Sequence, residues 1–144
     1  MLPTAAGGEK IPGLSEMERE HQLQIALVDA FEKAVSANAR VEAGRILEQM
    51  ADLSEMHFLA EELVMRLHQY PGFHEHAAEH AILLKEMHAL RREHAAGTLD
   101  LTLDLAARLR RTLANHLGGT DFALSAYMRR AGIAGKAPGA PPSP

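Results

Sequence analysis

The fold turns on residues 57–80, HFLAEELVMRLHQYPGFHEHAAEH. This stretch holds two pairs of side chains able to bind a metal, His57/Glu61 and His76/His80, each pair spaced i, i+4. On a helix that spacing puts both members on one face, one turn apart. Between the pairs lies Tyr70-Pro71-Gly72, which cannot continue a helix. The stretch therefore reads as two antiparallel helices, each offering a pair of donors close to a shared hairpin.

Working outward, the chain before the hairpin supplies two long helices. Ser15 with Glu18 forms a capping box that predicts the start of a first helix. Its apolar stripe, Leu14, Met17, Val28, Phe31 and Val35, is interrupted only by His21 and Gln24, and it fades near Ala37-Asn38. A second helix is expected from about Arg40 to Gln69, with the stripe Ile46, Met50, Leu53, His57, Ala60, Val64 and Leu67. After the hairpin a third runs from about Phe73 to Ala96, and Gly97 stops it. Residues 99–105, LDLTLDL, alternate with period 2, but a lone strand would lack a partner. The reading is instead a fourth helix capped by Thr98, with Asp100 and Asp104 towards its positive end and Thr102, Ala106, Leu109, Leu113 and His116 inward. Gly118-Gly119 breaks it, and Thr120-Asp121 opens a short final helix to about Ala131. The expected fold is all-α: an antiparallel up-down-up-down four-helix bundle with a short C-terminal helix. The expected domain spans residues 14–131, between an N-terminal arm (1–13) and a disordered Pro/Gly/Ala tail or linker (132–144).

Composition narrows the chemistry. A chain of 144 residues suits one domain with a sizeable core. It has no cysteine, which removes disulfides, thiolate zinc sites and iron–sulfur clusters. Net charge is −4, so no nucleic-acid partner is expected. The N-terminus lacks a signal peptide's apolar run and no window is long enough to span a membrane, so a soluble cytoplasmic protein without membrane partners is expected. Nine histidines are many for this length. His68, His74, His88 and His94 are expected to face solvent, and the arginine pairs at 91–92, 110–111 and 129–130 to be solvated faces.

The remaining histidines fall into register. In an up-down-up-down bundle the starts of helices one and three and the ends of two and four share one end. At about 1.5 Å per residue, His21 lies about 9 Å from that end, Glu61 and His57 about 12 and 18 Å, and His76 and His80 about 5 and 10 Å. His116 is near the end of helix four and Asp121 follows the break. Seven potential ligands thus gather at one end, the six on helices lying on or beside apolar stripes. Buried without compensation they would be costly. Five imidazoles and two carboxylates exceed one metal's needs and fit two, with iron, zinc, manganese or copper open on ligand type. The ferritin-like Glu-x-x-His spacing is absent, and so is the zincin H-E-x-x-H, because Ala78 stands where His74-Glu75 would need the second histidine.

The series His21, His57-x3-Glu61, His76-x3-His80 and His116-x4-Asp121 resembles hemerythrin, and over about residues 14–130 the chain is similar to a bacterial-type hemerythrin domain. The setting agrees: His57-Phe58, the Tyr70-Pro71 turn, and Asn115-His116-Leu117 before Thr120-Asp121. The resemblance implies two non-haem irons with an oxo or hydroxo bridge, cycling between Fe2+ and Fe3+ and reversibly binding O2. On that pattern His76, His80 and His116 hold one iron, His21 and His57 the other, and Glu61 and Asp121 bridge. Dioxygen binds at the open position of the two-histidine iron and is held as hydroperoxide. Phe58, Leu113 and Leu117 match apolar O2-pocket positions. Gln24 stands where the family commonly has an apolar residue, and an amide there is expected to hasten oxidation to the ferric form. The implied roles are oxygen storage, delivery, or oxygen and redox sensing, the last as a module fused to or upstream of a signalling domain. The alternative is an enzyme handling peroxide or NO. No catalytic residue is assigned, and a monomer or weak oligomer is expected.

Overall fold

The computed structural model describes residues 13–132. Five helices follow in order: α1 (Leu14–Ser36), α2 (Arg40–Leu67), α3 (Phe73–Ala95), α4 (Leu103–Gly118) and α5 (Thr120–Arg130). Helix α1 packs on α2 and α4, α2 on α3, and α5 on α4 and α1, which is the expected antiparallel bundle with a short C-terminal helix. All but residues 13 and 132 of the expected arm and tail lie outside the described residues.

Helices α1, α2 and α3 stop where the chain turns left-handed. Asn38, Gln69 and Gly97 take φ of 57°, 51° and 74°. The amide after each reaches back to close the last turn: Ala39 to the Ala34 carbonyl, Tyr70 to Met65 and Thr98 to Glu93, at 2.8–2.9 Å. In the hairpin Gly72 leaves room for the Tyr70 ring, which a Cβ there would meet at 2.8 Å. The Tyr70 ring in turn packs edge-on against Tyr127 of α5, with centroids 5.0 Å apart.

Two helix starts differ from the expected ones. Helix α1 is capped by Gly13, whose N–H donates to the Glu16 carboxylate at 2.9 Å, and Ser15 donates only to that same carboxylate. The Ser15/Glu18 box is thus displaced towards the N-terminus, because the buried stripe begins already at Leu14. Helix α4 begins at Leu103 under a Thr102 cap, whose hydroxyl accepts from the Leu105 N–H at 3.1 Å. Thr98 instead donates its hydroxyl to the Glu93 carbonyl at the end of α3. Residues 98–102 form no helix, so Thr102 is an exposed cap and not an inward residue, Asp100 lies outside the helix, and only Asp104 sits in its first turn. The period-2 alternation there is real in another sense: Leu99 and Leu101 pack on the core while Asp100 and Thr102 face solvent along a non-helical connection. Leu67, placed on the inner stripe of the second helix, is 50% exposed, because the helix ends at that turn.

Two apolar clusters fill the bundle. One lies away from the hairpin and includes Val28, Phe31, Leu47, Met50, Leu90 and Leu109. The other, near the hairpin, is built from Leu14, Met17, Val64, Met65, Leu124 and Met128. The candidate ligands fall in the helical turns between them. These candidate ligands lie towards the hairpin end of the bundle, as their register predicts, and the second cluster closes that end.

Candidate metal centre

Four long helices and the start of α5 deliver the seven side chains to one buried point. Helix α1 brings His21, α2 His57 and Glu61, α3 His76 and His80, α4 His116 near its last turn, and α5 Asp121 in its first. Six of them are at most 3% exposed, and His21 is half-buried. They form two groups that share both carboxylates: His76, His80, His116, Glu61 and Asp121 in one, His21, His57, Glu61 and Asp121 in the other, with donor atoms in each within 4.8 Å of one another.

The oxygens divide accordingly. Glu61 turns Oε1 to His80 Nε2 at 3.0 Å and His76 Nε2 at 3.4 Å. Its Oε2 lies 3.1 Å from His57 Nε2 and 3.2 Å from His21 Nε2. Asp121 turns Oδ1 to His76 Nε2 at 2.9 Å and His116 Nε2 at 3.2 Å, and Oδ2 to His21 Nε2 at 3.1 Å. All five rings thus point Nε2 inward, at a place where each carboxylate offers one oxygen to each group.

Protons alone satisfy this arrangement poorly. The Nε2 atoms of His57, His76, His80 and His116, Oε1 of Glu61 and both Asp121 oxygens are buried without a well-formed hydrogen bond. Such a concentration of orphaned donors and acceptors is foreign to a structural core. Imidazole and carboxylate without sulfur is a donor set for iron and other first-row metals, and two groups sharing two carboxylates fit a metal pair. The electrostatics tell the same story. Burial disfavours charge on His21, but hydrogen bonds to Asp121 and Glu61 outweigh it and raise its pKa to about 9. The same carboxylates raise His76 to about 9 against its burial. His57 and His116 are also raised, and the rings hold Glu61 and Asp121 well below the usual carboxylate range despite burial. Two anions in a small volume hold cations close, whether protons on imidazoles or metal ions.

A ring of outer carboxylates, which the sequence reading did not single out, fixes three of the imidazoles. His57 Nδ1 donates to Glu20 at 2.5 Å, His80 Nδ1 to Glu62 at 3.0 Å, and His116 Nδ1 to Glu79. Thr120 Oγ1 also donates to Glu79, at 2.8 Å. These bonds set the tautomer that leaves Nε2 free as a ligand. Their one mark in the sequence is adjacency to a candidate ligand. Glu20 adjoins His21, Glu62 adjoins Glu61 and Glu79 adjoins His80, and each serves a histidine of another helix.

Beside the centre lies a cavity of ≈ 60 Å³, lined by Gln24, Phe58, Leu113 and His116 at this level and by Met50 and Leu90 further in. Phe58 stacks on His80, with centroids 4.0 Å apart and planes 9° from parallel, and meets His116 edge-on at 5.4 Å. Leu113 is half-buried. Leu117, expected alongside these residues, is half-buried and does not line the cavity. Of the other histidines, all expected to face solvent, only His74 is exposed. His68, His88 and His94 are half-buried, the last with its ring where a Gly44 Cβ would stand.

Residues 13–127 match the family model described as the hemerythrin HHE cation binding domain. A bacteriohemerythrin of Stenotrophomonas maltophilia (strain R551-3) is 27% identical over 111 residues, covering 77% of this chain and 72% of that protein. A bacteriohemerythrin of Methylococcus capsulatus (strain ATCC 33009 / NCIMB 11132 / Bath) is 28% identical over 102 residues, covering 71% and 78%. Among solved structures, a wild-type hemerythrin crystal structure superposes with a TM-score of 0.74 at 26% identity, covering 88% of this chain and 95% of that one.

Proposed function

Since this chain belongs to the hemerythrin HHE cation-binding family, whose fold implies a non-haem di-iron centre, we propose that it binds dioxygen reversibly at such a centre, for oxygen storage, delivery or sensing. The observation that carries the reading is the division of the two buried carboxylates, each with one oxygen towards either histidine group. His76, His80 and His116 would hold one iron and His21 and His57 the other, with Glu61 and Asp121 spanning both. When bound, an iron pair in its ferrous state would supply the electrons that dioxygen takes up and would recover them when dioxygen leaves.

The chain's own residues prepare the site for that exchange. Glu20, Glu62 and Glu79 hold the Nδ1 protons of His57, His80 and His116, so the neutral rings present Nε2 in a fixed direction. A set of five neutral imidazoles and only two anions carries little negative charge. It therefore gives little support to high iron oxidation states, which suits reversible binding over oxygenation chemistry. Phe58 lies flat against His80 and, with the apolar cluster next to it, keeps bulk water from the rings.

An aerobic absorption spectrum with metal analysis tests the reading. We expect two irons per chain, near-ultraviolet bands of a bridged ferric pair, and a visible charge-transfer band when oxygen meets the ferrous protein and fades when oxygen is withdrawn. A colourless protein with one zinc per chain refutes it. Catalytic loss of peroxide or NO in place of stoichiometric, reversible oxygen uptake makes the protein an enzyme instead.

A further inference from the structure

The cavity beside the centre is not uniformly apolar. Gln24 is 6% exposed, lines the cavity, and its Oε1 has no hydrogen-bond partner. A buried amide in a bundle core ordinarily finds one. Ser54 and Thr112 add hydroxyls and Glu86 and Arg108 add charged groups to the same lining, while the buried Met50, Leu90 and Leu109 make part of it apolar. The amide can present oxygen or nitrogen to the cavity by a half-turn of its last torsion, so its proper companion both donates and accepts. One water needs roughly 10–15 Å³ of such space, and the cavity offers ≈ 60 Å³. It therefore has room for a molecule of one or two heavy atoms at Gln24 with apolar volume left over.

We infer that Gln24 forms a polar subsite in this cavity for a small hydroxylic molecule, water or hydrogen peroxide, hydrogen-bonded to its side-chain oxygen. Both molecules donate and accept, whereas dioxygen does neither well, so the subsite favours the hydroxylic molecule over dioxygen in this part of the cavity. The inference concerns binding alone. It rests on the oxygen-binding reading only for its bearing on function, since the unpaired amide and the cavity exist whatever the metals do.

The test uses crystals of the iron-loaded ferric protein, wild type, Gln24→Leu and Gln24→Met, at a resolution that shows waters. Iron per chain is measured first, so failure of the metal centre is seen separately from failure of the subsite. In wild type we expect one ordered oxygen at about 2.7–3.0 Å from the Gln24 oxygen. After a brief peroxide soak and flash-cooling, that density should lengthen to two atoms. Both variants should lack it, and Gln24→Met, close to glutamine in volume, guards against a packing effect. Single-atom density that persists through the soak identifies water as the occupant. Three results overturn the subsite: an empty wild-type cavity, an amide bonded to Ser54 or Thr112, or the same density in Gln24→Met.

Discussion

Removing the Glu79 carboxylate while leaving every proposed ligand in place isolates the outer ring of acids. In Glu79→Ala, His116 loses the acceptor of its Nδ1 proton and Thr120 loses the acceptor of its hydroxyl. The ring can then turn, or shift its proton to Nε2, and either change costs a metal ligand part of its time. Outer partners of this kind are worth about 10–100-fold in metal affinity, or about 1.4–2.8 kcal/mol. Glu79 is 38% exposed, so water can partly replace it, and the low end, about 10-fold, is expected here. Glu62→Ala should cost more, because Glu62 is only 23% exposed and water replaces it less well. Glu79→Gln should cost less than Glu79→Ala, since its amide oxygen still accepts from His116. The assay is competition for iron with a chelator of known affinity, with Asp100→Ala, an exposed site beyond the helices, as control. Affinity in Glu79→Ala within twofold of wild type, or an equal loss in Asp100→Ala, would show that Glu79 does not hold the ring.

Replacing Glu61 or Asp121 with alanine removes an oxygen from both histidine groups at once, so each should lose most of its iron while His88→Ala retains it; equal retention in all three, by metal analysis, refutes the shared role. Metal uptake by the apoprotein at pH 7 should release protons, because His21 and His76, with pKa about 9, are charged until metal displaces them. A pH-stat trace showing no acid release counts against this. The stability of the apoprotein should also vary with pH. His21 and His76 stabilise it fully below their unfolded value of about 6.5, and that contribution is lost as pH rises through about 9. The depressed Glu61 and Asp121 stabilise it above their unfolded value of about 4 and fail below it. Unfolding midpoints should therefore peak between about pH 4 and 6.5, and a midpoint still rising at pH 9 contradicts the assignment. Finally, Gln24→Leu should slow autoxidation of the oxygenated protein severalfold with iron content unchanged, by removing a hydrogen-bonding group from the cavity; an equal or faster rate removes Gln24 from the pocket.

The sequence carried the helices around residues 57–80 well, because Tyr70-Pro71-Gly72 leaves no alternative to a break and the i, i+4 donors share the period of the helix that bears them. The seven-residue cluster was legible because register in an antiparallel bundle follows from helix lengths alone. Other features depend on partners distant in sequence. The start of α4 could not be read from LDLTLDL, where the same alternation serves an exposed helix turn or an extended connection, and only packing against the core decides. Glu20, Glu62 and Glu79 look like solvated acids until the neighbouring helix is in place. Leu117 follows His116 directly, yet which way it faces at the end of α4 depends on the Gly118-Gly119 break.

Helix α5 holds Asp121 at its first turn and Leu124 and Met128 one and two turns further on, the latter two in the apolar cluster that closes the hairpin end. Supplying the second carboxylate and shutting the bundle thus fall to one element, the last of the five described helices. Until it docks, the other helices can bring together every imidazole and Glu61, but only half of the anionic charge, at a site open to water. The chain consequently cannot finish its core without finishing its cluster of candidate ligands, and damage to the oily plug is expected to surface as a defect in holding metal.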